Sequence, residues 1–178
     1  MALFSIFLKG LNGFTGRTRK ARSRVYSVLN STFKAAKPVA KKAFTTNALS
    51  VYAVKKNAFS KFLFTRAGKN FLTVEATTFR LGMGKYFPVR PNKKDTTGMR
   101  RQPISYAVYP NGWVYQQRGF MWKGILFYRK GSLSLPVKKQ TGPSVYNMST
   151  SGEVFGKSER EILEFCQTTI DNKLYRLL

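Results

Sequence analysis

Apolar positions change their spacing three times along this chain. Over residues 2 to 9, ALFSIFLK, they crowd into a strand-length run ahead of the flexible stretch GLNGFTG. From Thr15 to Ala36 the pattern turns helical, with Ala21, Val25, Val28, Leu29, Phe33 and Ala36 at three- and four-residue spacings. Pro38 is expected to end or kink that helix, because its ring lacks the amide donor and crowds the preceding turn. A second basic segment, VAKKAFTTNALSVYAVKKNAFSKFLF, offers Ala40, Phe44, Ala48, Val51 and Tyr52 as one helical face.

After Gly68 the period falls to two. NFLTVEATTF reads as a strand, with Leu72, Val74 and Ala76 on one side and Phe71, Thr73, Glu75 and Thr77 on the other. LGMGKYFPVRPNKKDTTGMRRQP, charged and punctuated by glycine and proline, is expected as a long loop. ISYAVYPNGWVYQQ carries a hairpin signal, with Pro110-Asn111-Gly112 between aromatic and β-branched arms. WKGILFYRKG and SLSLPVKKQ suggest a second strand pair around Lys130-Gly131, in which Leu133, Leu135 and Val137 face the core. Pro136 has no backbone donor, which suits an edge strand, and Gly142-Pro143 is expected to stop the sheet in a rigid turn.

The last segment reads as a helix. Ser158 with Glu161 forms a capping-box signature, Glu159, Glu161 and Glu164 lie toward the positive end, and Lys173 and Arg176 toward the negative end. Its apolar stripe is Leu163, Cys166, Ile170, Leu174 and Leu177, expected to pack on the sheet. The pattern therefore predicts an α+β chain. Residues 1–67 form a basic helical region, and 68–178 form one unit of an antiparallel sheet, about four strands, with an amphipathic C-terminal helix.

Charge changes this picture most. The 178 residues suit one domain, or one domain plus an arm, and 43% apolar content suffices for a packed core. Against 32 Lys and Arg stand 7 Asp and Glu, a net charge of +25. Fifteen bases precede the first acid, Glu75, whereas residues 153–178 are nearly balanced. Self-repulsion on this scale favours a polyanionic or acidic partner. Arg17, Arg19, Lys20, Arg22 and Arg24 cluster in the first half of the predicted helix, where they oppose its dipole. With Lys41, Lys42, Lys55 and Lys56 they are the candidate DNA-facing set; the alternative is a solvated cationic face. No base-reading motif accompanies them, so contact would be independent of sequence.

Chemistry is sparse. The chain has no histidine, one cysteine and no paired carboxylates among its few acids, so no catalytic, cofactor-binding or metal-binding residue is assigned and an enzyme is not expected. GMGKYF lacks the rest of a phosphate loop, and Cys166 sits on an apolar stripe with no histidine to activate it. No apolar run reaches the length of a membrane span, so no membrane partner is expected. The N-terminus lacks the pattern of a secretory signal; its freedom from acids also fits an organellar transit peptide.

Residues 129–145, RKGSLSLPVKKQTGPSV, carry a resemblance. Arg129 and Gly131, then Leu135, Pro136 and Val137, then Gly142, Pro143, Ser144 and Val145 resemble the C-terminal signature of the minor tail protein Z family of tailed bacteriophages. Upstream, FRLGMGKYFPVRP and RGFMWKGILFYRKG look like that family's loop and strand pair, and FLKGLNGF before a basic helix fits its layout. The resemblance implies a structural virion protein that completes the tail at its head-proximal end, around the neck through which DNA passes. It implies other virion proteins as partners (tail terminator, head-tail connector, tail tube), self-association in a ring, often sixfold, and host cytoplasm as the place of assembly. A ring of basic subunits around a DNA channel would use the positive charge for non-specific contact. The alternative class is a basic organellar ribosomal or other RNA-binding protein.

Overall fold

The computed structural model describes residues 1–7, 19–90, 104–131 and 136–175. The fold is α+β: helices packed beside small antiparallel sheets. Strand β1 (Ala2–Phe7) lies beside β3 (Phe71–Ala76), which on its other edge pairs with β2 (Leu63–Ala67). The alternation in β3 is realised, with Leu72, Val74 and Ala76 buried. The division after residue 67 falls in the β2–β3 hairpin, and one hydrophobic core draws residues from both sides of it.

Helix α1 (Arg19–Val51) runs for 33 residues and contains Pro38, so of the two expectations, an end or a kink, the end is overturned. Pro38 faces solvent, whereas Phe33, Ala36, Ala40, Phe44 and Ala48 are buried along one stripe. Burying both halves against the same core outweighs the lost backbone bond. The predicted second helical face continues the first. Only the short α2 (Lys56–Lys61) follows as a separate helix.

At the other end, α3 (Val145–Ser149) leads into α4 (Gly152–Tyr175). The capping-box reading is overturned: α4 begins at Gly152, and Ser158 lies inside it, fully buried. The stripe also shifts. Val154, Ser158, Ile162 and Cys166 face inward at four-residue spacing, while Leu163 is exposed. The partner of α4 is chiefly α1 rather than the sheet. Asn47 meets Ser158, and Lys173 Nζ donates to Ser31 Oγ at 2.7 Å, so the two helices run antiparallel. Alanines at 36, 40 and 43, which share the helix face of Asn47, leave room for that approach. Phe155 closes the end of the pair, edge-on to Phe4 and Phe44.

More strands form than the expected four. They are β4 (Arg80–Gly82), β5 (Val89–Arg90), β6 (Ile104–Tyr109), β7 (Gly112–Gln116), β8 (Gly119–Trp122), β9 (Ile125–Arg129), β10 (Val137–Lys139) and β11 (Thr141–Ser144). Their orders are β5-β6-β7, β10-β9-β8 and β11-β4. The β6–β7 hairpin and the β9–β10 pair stand where the turn residues placed them. The expected loop is instead structured through residue 90, because Leu81, Met83 and Phe87 are core residues; 91–103 lie outside the described residues. A β8–β9 hairpin also forms around Lys123-Gly124, whose φ of 46° and 73° provide a tight primed turn. Among the described residues no helix is long and apolar enough to cross a membrane.

Candidate nucleic-acid interface

The predicted cations do not gather into one patch. Arg17 lies outside the described residues. Arg19, Lys20 and Arg22 occupy the first turns of α1, followed by an exposed Arg24. Lys42 is exposed on the same side as Arg24, since eighteen residues are five helical turns, and Lys41 beside it is half-buried. Lys55 and Lys56 lie beyond the far end of α1, roughly 40 Å along the helix from its first turns.

At that far end the tertiary structure adds two lysines. Lys55, Lys56, Lys61 and Lys85 surround a groove of ≈ 390 Å³ lined also by Ala58 and Tyr86. Lys55 Nζ donates to the Gly84 carbonyl at 3.3 Å, and Lys85 Nζ rests 5.5 Å from the Tyr86 ring centre. Lys61 sits over Phe62, itself edge-on to Tyr86. These ammoniums remain exposed and can meet phosphates. Lys61 and Lys85 escaped sequence reading because the groove joins an α2 lysine to one in the expected loop.

Other cations lie over aromatic rings on the sheets. Arg90 covers Trp113 with its guanidinium carbon 3.9 Å from the ring centre. Arg129 lies over Phe120 at 5.2 Å, and Lys123 over Trp122 at 4.9 Å. The signal for the last pair was the Lys-Gly dipeptide between two aromatic arms.

The signature-like segment divides into two halves. Arg129 pairs with Val137 across β9 and β10, and both are exposed, contrary to the expectation that Val137 faces the core. Gly131 is half-buried but has open space where a side chain would be. Pro136 is exposed and precedes β10, which is an edge strand as its missing donor suggested. Leu133 and Leu135 lie outside the described residues.

The second half is buried. Gly142 and Pro143 lie within β11, between Thr141 and Ser144 that pair with β4, rather than ending the sheet in a turn. The pairing is irregular between Thr141 and Ser144, which lets proline occupy a short edge strand. A Cβ at Gly142 would stand 2.6 Å from Phe87 and 2.8 Å from Met83. Ser144 accepts a bond from the Asn147 amide at 3.1 Å and caps α3, while Val145 is fully buried.

An open cavity of ≈ 350 Å³ lies beside this half, lined by Arg80, Tyr106, Gln140, Gly142, Pro143 and Asn147 among others. Gln140 Nε2 donates to the Tyr106 hydroxyl at 3.1 Å. Burial, and then the neighbouring Tyr128, raises the Tyr106 phenol above its ordinary pKa, so it stays protonated at neutral pH. Burial also raises the Cys166 thiol, which holds it in its unreactive form.

Comparison with protein families, with characterised proteins and with solved structures returned no match.

Proposed function

We propose that the chain is a structural virion protein of a tailed bacteriophage, of the minor tail protein Z type. It completes the tail at its head-proximal end and joins tail to head around the DNA channel. The observation that supports this reading is the construction of residues 142–145. Gly142 fits only without a side chain, Ser144 caps the next helix, and Val145 enters the core. Part of the specific stretch of the resemblance, residues 135–145, therefore coincides with residues whose identity packing dictates, whereas Pro136 and Val137 in its first part are exposed. Exposed cations on α1 and around the Lys55 groove suit non-specific contact with the DNA backbone. In this reading copies of the chain form a ring, sixfold by the resemblance, flanked by tail terminator, connector and tail tube.

The test is removal of the coding sequence from the phage. The expected result is heads and tails that fail to give infectious particles, with infectivity restored when the protein is supplied separately. Normal infectivity without it refutes the role. One observation favours the basic RNA-binding alternative: the rings of Trp113, Phe120 and Trp122 each have a cation over them and stand on sheet strands. Restoration of organellar translation by this protein would establish that alternative instead.

A further inference from the structure

The outer face of the β10-β9-β8 sheet carries aromatic rings that the core does not use. Cross-strand register puts Phe120 opposite Phe127, Trp122 opposite Ile125, Val137 opposite Arg129 and Lys139 opposite Phe127. Because opposed residues share a face, these seven side chains lie on one side, while Leu126 on the other side is buried in the core. Phe120 and Phe127 stack at 5.9 Å, and Trp122 meets Phe127 edge-on at 5.8 Å. None of the three belongs to the main hydrophobic core or packs against it; Phe120 and Phe127 are half-buried and Trp122 is 58% exposed. An indole left this open to water gains little from folding alone, and partly exposed aromatic patches mark binding surfaces.

The cations around it identify the occupant. Lys123 lies over Trp122 and Arg129 over Phe120, with an exposed Lys139 on the same face. Among the described residues there is no acid between Glu75 and Glu153 to balance them. The required partner is a polyanion that also presents flat apolar surfaces. A duplex hides the faces of its bases in its own stack and offers phosphates and groove edges. A single strand offers both phosphates and free base faces.

We propose that this face is a stacking platform for single-stranded nucleic acid, in which Trp122, braced by Phe127 and Phe120, receives a base and Lys123, Arg129 and Lys139 meet the backbone. Any base supplies a π-face, so recognition is independent of sequence. The proposal does not depend on which assembly contains the chain.

The test compares the full chain's binding to a thymidine 20-mer, a blunt duplex of equal total charge, and heparin at one salt concentration. The single strand should bind more tightly than the duplex and quench Trp122 emission in a Trp113→Phe background. Trp122→Leu keeps an apolar cover on Phe127 but removes the π-face. It should weaken single-strand binding roughly five- to a hundredfold while leaving heparin affinity unchanged. Trp122→Tyr should recover most of the loss. Replacing Lys123, Arg129 and Lys139 together by Gln should lower the salt slope for the single strand by about two. Circular dichroism of each variant checks that it folds. Equal affinity for duplex and single strand would overturn the proposal, as would a Trp122→Leu variant that binds the 20-mer like the parent. A Trp122→Leu variant that changes only oligomeric state would assign the face to a protein contact.

Discussion

Asn47 and Ser158 stand 111 positions apart in sequence and 3.1 Å apart in space, with the Asn47 amide donating to the Ser158 hydroxyl. The same amide nitrogen donates to Glu161 Oε1 at 3.0 Å. One side chain thus fixes the register of α4 against α1. Asn47→Ala should destabilise the protein by about 2 kcal/mol in denaturant unfolding, since it leaves the buried Ser158 hydroxyl without this donor. Asn47→Asp should cost more at neutral pH, because it replaces two donated bonds with a second carboxylate beside Glu161. Repulsion and burial both raise carboxylate pKa values in the folded state. The variant's deficit should therefore be full at neutral pH and shrink as pH falls toward about 4, the unfolded carboxylate range.

The two glycines of the signature-like segment should respond in opposite ways. Gly142→Ala forces a methyl against fully buried Phe87 and Met83 and should cost about 1–3 kcal/mol. Gly131→Ala meets open space and should leave the unfolding midpoint within about 0.5 kcal/mol of the parent. Equal effects would show that packing does not distinguish the two sites.

Pro38→Ala should raise stability. The site is exposed and inside α1, so alanine restores a helical bond and removes the ring's steric demand without disturbing the core. A gain of about 1–3 kcal/mol is expected, readable as a higher urea midpoint. A loss would mean that α1 needs a bend at this position.

Alkaline pH should weaken the fold through Tyr106 and Cys166, whose pKa values are both raised by burial. The unfolded chain then releases these protons first, so it binds fewer protons than the native state and stability falls as pH rises. This contribution should be fully present below about 8.5, the ordinary thiol value, and decline above it, with the phenol adding to the fall beyond about 10. Cys166→Ala should remove the thiol component and flatten the profile between those values. A thiol reagent should label Cys166 in the native protein only as fast as the fold opens.

The DNA-facing assignment on α1 has its own measurement. Gln at Arg17, Arg19, Lys20, Arg22 and Arg24 together should weaken binding to duplex DNA and flatten its salt dependence by up to about four or five in slope. An unchanged slope would mean that these cations face protein or solvent.

Sequence alone determined the features that depend on near neighbours. The alternation of Leu72, Val74 and Ala76, the turn after Tyr109 and the buried Phe33–Ala36–Ala40–Phe44 stripe each follow from spacing within a few residues. So did the excess of cations, which is a property of composition. Tertiary structure decided what depends on distant partners. Pro38 stays in a helix because a core on one side holds both halves. Ser158 looked like a cap because Ser-x-x-Glu satisfies an isolated helix end, but Asn47 claims both residues. Leu81, Met83 and Phe87 looked like loop because their spacing fits no regular element, and only strands from elsewhere bury them. Residues 129–145 carried a recognisable signature as a string. Which of its residues pack and which face outward, with Gly142 locked against Phe87 and Arg129 lying over Phe120, was settled by contacts that no local pattern encodes.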